Sequence, residues 1–394
     1  MSTFGIVAEY NPFHNGHKLH LDMTRSSADF VVAIMSGNFV QRGECAIMPQ
    51  RARAECALKC GVDLLLSLPL TAAVSGAENF AFSAIYILDA LGIVDSISFG
   101  SESGNSSLLK EAANSLSDKR LDSIIKNELK SGKTYAKARQ AAVEALYGKT
   151  IASFLSTPND ILGVEYIKAI NKIGSDMSFI SIKRQGASHD GVSVGKYKSA
   201  SQIRKEIYEG KSISESIPQE VLPIFDKYTK LCKMPPDLSK LEIAVLSELR
   251  RKTADDFKKI ADISEGLENK LFRAVRASSS LKEVLDNVKS KRYTHSRLRR
   301  ILLCSFLGIT REYTDLVPPY VRVLGFNDRG QKLLAEINKK STLPIVTRAS
   351  QVEALSTEAK NLFKLECKAT DLYSLLLPKP DECAKEMTDG IIRI

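Results

Sequence analysis

Five short apolar runs, with stretches long enough for a helix between them, constrain this chain more than anything else in it. They are Ile6–Ala8, Phe30–Met35, Val62–Leu68, Ser96–Phe99 and Phe179–Lys183. The first four run into turn formers: Asn11-Pro12, Ser36-Gly37-Asn38, Pro69 and Gly100-Ser101. Apolar runs of this length, rich in β-branched residues, are strands buried on both faces, and such strands occur in sheets whose connections are helices. Between them the sequence predicts helices starting after Gly16, from Gln50 to about Lys59 behind Pro49, from Gly76 to Leu91, and through Ile161 to Ile173. Strands alternating with helices make a parallel sheet with right-handed crossovers.

The expected architecture is therefore α/β: a Rossmann-like, open, parallel, five-stranded sheet over residues 1–215, with a pair of helices inserted at about 105–150 and broken at Gly132 and Gly148. Pro218, Pro223, Pro235 and Pro236 punctuate a connection, after which residues 216–394 read as a mostly α-helical second domain. Its tail carries two more strand signals, Tyr320–Phe326 and around Pro344–Thr347. A length of 394 residues suits two domains, and 44% hydrophobic residues are ample for their cores.

Open parallel sheets bind ligands beyond the carboxyl ends of their strands, so the loops there are where chemistry is sought. The first is Glu9-Tyr10-Asn11-Pro12-Phe13-His14-Asn15-Gly16-His17. His14 and His17 fall three residues apart in the first turn of the next helix, where backbone N–H groups and the helix dipole favour an anion. Two imidazoles there can hydrogen-bond a phosphate and, in protonated form, stabilise charge on a departing one. Gly16 lets the backbone come close. Gly100, Asn159 at a helix start and Arg184 stand at the ends of later strands, and Ser201 and Arg204 open a helix within Lys198-Ser199-Ala200-Ser201-Gln202-Ile203-Arg204. Arg42, Arg51 and Arg53 are available to an anion, although Arg51 and Arg53 read equally well as a solvated helix face.

The net charge of +10 and pI near 9.1 suit a polyanionic partner. Counting from Lys240 to Arg300 gives 16 Lys and Arg against 9 Asp and Glu, so most of the excess lies in one stretch. Its densest part, from Lys289 through Lys291, Arg292, Arg297 and Arg299 to Arg300, has no acid and includes Tyr293 and His295. Such a run contacts RNA phosphates while an aromatic stacks on a base; a solvated helix face is the alternative. Seven scattered cysteines form no CxxC pair and no metal-ligand spacing, which points to reduced buried thiols. No apolar run reaches membrane-spanning length, and the N-terminus lacks the basic region of a signal peptide. The expected location is the cytoplasm.

Strand, Asn-Pro, His-x-Gly-His and helix, in that order, resemble the signature of the nucleotidylyltransferase superfamily, and Ser201 with Arg204 resembles its second signature. The resemblance implies ATP, with His14, His17, Ser201 and Arg204 as catalytic residues around the triphosphate together with Mg²⁺. Many superfamily members have Asp where Asn11 stands, so a carboxylate role there does not carry over. From the residues alone the acceptor stays open, between a small-molecule adenylyl or cytidylyl transfer, an RNA substrate, and a non-catalytic RNA-binding protein. Across almost the whole chain the motif order is similar to the bacterial tRNA(Met) cytidine acetate ligase family. The matching runs are Glu9 to His17, Ser36 to Gly43, Phe99 to Glu102, Pro158 to Gly163 and Ile182 to Arg184. That resemblance implies acetate activated as acetyl-adenylate and transferred to N4 of the wobble cytidine of elongator tRNA(Met). It also implies an ATP site made of Val7, Ala8, Glu9, Tyr10, Asn11, Pro12, Phe13, His14, Asn15, Gly16, His17, Lys18, His20, Gly100, Asn159 and Arg184, with the basic run receiving the tRNA.

Overall fold

The computed structural model describes residues 1–184, 197–264, 266–290 and 293–394. Its strands are β1 (Thr3–Ala8), β2 (Phe30–Ser36), β3 (Phe39–Val40), β4 (Glu44–Cys45), β5 (Leu64–Leu68), β6 (Ser96–Ser101), β7 (Ser178–Lys183), β8 (Val321–Phe326), β9 (Ile345–Val346) and β10 (Ile392–Arg393). The five expected strands are all present and parallel, in the order β5-β2-β1-β6-β7. Every residue of β5 is buried, as is all of β2 after Phe30, which is why these runs are continuously apolar rather than alternating.

β1 is the pivot. The chain winds from it to β2 and β5 on one side, then crosses to β6 and β7 on the other. The strand order reverses between β1 and β6, and a crevice opens there beyond their carboxyl ends. The turn after β1 carries the histidine motif, and the end of β6 carries Gly100.

The sheet extends past the five expected strands to eight. β8 lies antiparallel beside β5, and β9 and β10 pair in parallel with β8. The edge of β5 would otherwise present unpaired backbone, and the alternating run Val321–Phe326 covers it. The C-terminal part of the chain, with both of its expected tail strands, thus returns to the sheet rather than standing apart from it. The insertion differs too: it has three helices, Ser106–Ser115, Arg120–Lys130 and Tyr135–Ser153. The break between the first two, near Asp118, has neither Gly nor Pro to announce it. Gly132 (φ 88°) and Gly148 (φ 85°) do mark bends.

Beyond the Ser36-Gly37-Asn38 turn the chain forms a hairpin in which Phe39 pairs with Cys45 and Val40 with Glu44. Phe39 and Cys45 enter the apolar core of the C-terminal helices, packing with Val74, Leu298, Leu302 and Tyr373. The Tyr373 hydroxyl also donates to the Ala46 carbonyl at 2.9 Å. This shared core seats the helix His295–Leu307, bearer of Arg297, Arg299 and Arg300, against the hairpin beside the crevice.

Candidate active site

A cleft of about 810 Å³ opens at the strand-order reversal, a size usual for small-molecule sites. Its lining includes Val7, Ala8, Glu9, Tyr10, Asn11, His14, Gly16, His17, His20, Gly100, Asn159, Arg184, Ser201 and Arg204, so residues from five separate stretches of sequence converge. His295, Ser296, Arg299 and Arg300 of the basic run line it as well. Among its described lining residues are six Lys or Arg, namely Arg42, Lys183, Arg184, Arg204, Arg299 and Arg300, against two carboxylates, Glu9 and Glu44. That imbalance favours a polyanion.

His14 is the N-cap of the helix Asn15–Arg25; its Nδ1 accepts the Gly16 N–H at 3.0 Å, which puts the ring proton on Nε2. The His17 Nδ1 accepts the His14 N–H at 3.3 Å, and the rings stack with centroids 3.8 Å apart. A Cβ on residue 16 would sit 2.8 Å from the His14 Cε1, so only glycine lets the ring fold back this way. The helix terminus does not offer bare N–H groups as expected. Asn15 N–H donates to the Ser216 carbonyl and Gly16 N–H to His14, leaving the imidazoles as the groups at the cleft wall.

Burial pushes the His14 imidazole down to about 3, with Arg184 and Arg204 adding to the effect. Burial also holds His17 well below its ordinary value, followed by His14 and Arg184, and takes His20 down to about 4. All three are neutral in the unliganded cleft, so a protonated role needs the negative charge of a ligand to draw the proton in. Glu9 moves the other way: burial raises its carboxyl, although its Oε1 accepts the Gln41 N–H at 2.9 Å.

Arg184 Nη1 reaches the Asn159 Oδ1 at 3.4 Å and its side chain crosses the face of Gly100, where a Cβ would stand 3.4 Å from the Arg184 Cγ. Glu102 holds Asn159 from behind, accepting its Nδ2 at 2.7 Å and the Asp160 N–H at 2.9 Å. On the opposite wall Arg204 donates to the Asn11 carbonyl at 2.8 Å and to the Ser201 Oγ at 3.4 Å. Asn11 is 3% exposed; its Oδ1 accepts the Ile47 N–H, and its Nδ2 has no partner.

Four of the expected ATP-site residues are not in the cleft lining. Phe13 is fully buried and packs with Tyr10 behind the His17 ring. Pro12 is also buried, Asn15 donates its Nδ2 to the Glu215 carbonyl, and Lys18 pairs with Asp22. Arg53 is neither available to a ligand nor solvated: it is fully buried and donates to the carbonyls of Met48, Glu9, Ser36 and Gly37, tying together the ends of β1 and β2. Arg51 donates to the Gly390 carbonyl outside the cleft. Of the basic run, Lys289 is exposed, while Arg297 is turned inward to the Asp262 carbonyl at 2.5 Å with its guanidinium over Tyr293. Lys291, Arg292 and the loop 185–190 lie outside the described residues.

The HIGH nucleotidyl transferase family model matches residues 1–388. A tRNA(Met) cytidine acetate ligase of Thermoanaerobacter sp. (strain X514) is 41% identical over 385 residues, covering 95% of each chain. Another, from Acetivibrio thermocellus, is 37% identical over 413 residues, with both chains covered in full. The crystal structure of Thermotoga maritima TmcAL bound with alpha-thio ATP superposes over the whole of both chains with a TM-score of 0.94 at 35% identity. This chain belongs to the tRNA(Met) cytidine acetate ligase family.

Several residues in the cleft wall, and Glu102 behind it, have roles that the sequence did not assign. Gln41 fixes Glu9, Glu102 fixes Asn159, and Phe80, Tyr166 and Ile161 supply apolar wall. Glu102 sits in a Gly/Ser loop at a strand end, a signal that could have singled it out. Glu44 could not have been found locally, since its partner Arg299 lies 255 positions away. Among the described residues no group of three or more His, Cys, Asp or Glu is placed to hold a metal ion.

Proposed function

We propose that this protein uses ATP to activate acetate and acetylates N4 of the wobble cytidine in elongator tRNA(Met), giving N4-acetylcytidine. One observation carries the reading: the histidine motif and the basic helix His295–Leu307 line a single cleft. Phosphate-binding groups and residues of the RNA-facing run therefore address one space. In this reading residues 1–215 supply the nucleotide chemistry and residues 216–394 most of the tRNA surface.

An acetate oxygen attacks the α-phosphorus of ATP; the bond to the bridging oxygen breaks, and pyrophosphate leaves with that electron pair. His14 donates from Nε2, and His17, Ser201 and Arg204 add the donors that neutralise charge on the triphosphate as it separates. Arg184, positioned by Asn159, and the unpartnered Asn11 amide hold the nucleotide in line. The cytidine amine then attacks the acyl carbon of acetyl-adenylate, AMP departs, and the amine loses its extra proton. The mixed anhydride hydrolyses readily, so the bound tRNA covers the cleft during transfer. A wobble base in a loop needs little unstacking to enter. No helix among the described residues is long and apolar enough to cross a membrane, in keeping with action on tRNA in the cytoplasm.

The test of the first half-reaction is exchange of labelled pyrophosphate into ATP. Exchange that requires acetate supports the reading; exchange driven by a nucleotide or another carboxylate, and not by acetate, overturns it.

A further inference from the structure

Glu44, at the start of β4, has one arginine on each carboxylate oxygen. Arg299 Nη1 is 2.7 Å from Oε1 and Arg204 Nη2 is 3.5 Å from Oε2. The arginines come from opposite parts of the chain, and both line the cleft. Two guanidiniums converging on a pair of oxygens are arranged as they would be around a phosphate.

Arg204 keeps its donation to the Asn11 carbonyl through Nη1 and leaves Nη2 toward Glu44 and Ser201, so neither arginine is spent on four carbonyls as Arg53 is. The Arg299 Nε is buried without a hydrogen-bond partner, as is the Arg300 Nε beside it. The helix carrying them is held by backbone contact: a Cβ on Gly43 would lie 2.6 Å from the Arg300 N and 2.7 Å from the Arg299 C. Arg299 therefore reaches the cleft from a fixed helix. Glu44 itself is part-exposed at 28%, and a part-exposed ion pair is a weak tie, readily exchanged for a more highly charged anion.

We infer that Glu44 is a stand-in anion and that Arg299 belongs to the nucleotide site: an entering triphosphate takes Arg204 and Arg299 from Glu44. The inference rests on the reading of the cleft as an ATP site. It makes the helix that bears the basic run a part of nucleotide binding, so ATP and tRNA meet on adjacent turns of one helix.

The test is calorimetric titration, without tRNA, of an ATP analogue with a methylene between the α and β phosphorus atoms. Glu44→Gln removes the competing charge and is expected to tighten the analogue about threefold to fivefold. Arg299→Ala is expected to weaken it about tenfold or more, and Arg299→Lys, which keeps the charge but not the fork, by an intermediate amount. In the Arg299→Ala background the gain from Glu44→Gln should shrink. Weaker analogue binding by Glu44→Gln, or an Arg299→Ala protein with the parent's melting temperature that binds the analogue as the parent does and loses only tRNA affinity, would overturn the inference. Failure of the parent itself to bind the analogue would instead remove the ATP reading beneath it.

Discussion

The His14 and His17 rings stack at an interplanar angle of 25°, their centroids 3.8 Å apart, with Nδ1 of each turned back to its own helix terminus. Stacked so closely they disfavour two imidazolium cations, and burial keeps them, like His20, neutral. Their folded-state values lie below that of an unfolded histidine, so the unfolded chain takes up protons first as the pH drops. Stability from these groups is full above about pH 6.5 and falls as the pH drops toward 4, by at most about 1.4 kcal/mol per pH unit for His14 or for His20. Urea unfolding at pH 7, 6 and 5 should reveal this slope, and His20→Asn should remove one histidine's share of it. A slope unchanged by that substitution would contradict the neutral state of His20.

Gly16→Ala should push the His14 ring off its cap, because the new methyl would meet the Cε1 at 2.8 Å. The fold should lose only about 1 kcal/mol, of the order of one cap. ATP affinity should fall about tenfold, as for a lost charge-assisted hydrogen bond. Melting temperature and calorimetry on the same sample separate the two effects; a full loss of fold would place Gly16 in the scaffold rather than the site.

Arg53→Met is predicted to be severe, although the residue faces no ligand. Four backbone carbonyls lose their donor at once, and a cost of about 3 kcal/mol or more in chemical unfolding is expected. A ΔΔG below about 1 kcal/mol would mean that those carbonyls find other donors.

Glu102→Ala should act through Asn159. The carboxylate accepts from the Asn159 side chain and the Asp160 N–H, and Asn159 in turn receives Arg184. The expected result is weaker ATP binding with tRNA affinity unchanged, and Glu102→Gln should recover part of the loss. Equal loss in both variants would make the charge, rather than the positioning of Asn159, the operative property.

The sheet was legible because its signals are local. Runs such as Phe30–Met35 and Val62–Leu68 declare burial by their own composition, and Asn11-Pro12 and Pro69 declare where they stop. The histidine motif was legible for the same reason, since three residues of spacing fix its geometry. What sequence alone concealed depends on distant partners. Val321–Phe326 reads as a strand, but nothing local says that it pairs with β5. Arg53 reads as one charge on a helix, and only the folded ends of β1 and β2 supply its acceptors. Glu44 looks like an ordinary loop acid until the helix His295–Leu307 brings Arg299 beside it. The basic run was read as one surface, whereas helical geometry sends Arg299 to Glu44 in the cleft, turns Arg297 to the Asp262 carbonyl, and leaves Arg300 at the cleft wall with its guanidinium on the Asp262 carboxylate.

The proposal of a tRNA acetate ligase is tested most directly by the fate of labelled acetate. The protein is incubated with ATP, the label and total tRNA, and the tRNA is then digested to nucleosides and separated. Label in N4-acetylcytidine, dependent on ATP and abolished by His14→Ala with His17→Ala, is the predicted result. Unlabelled tRNA alongside acetate-dependent release of pyrophosphate, with the labelled acetyl group carried to another acceptor, would contradict it.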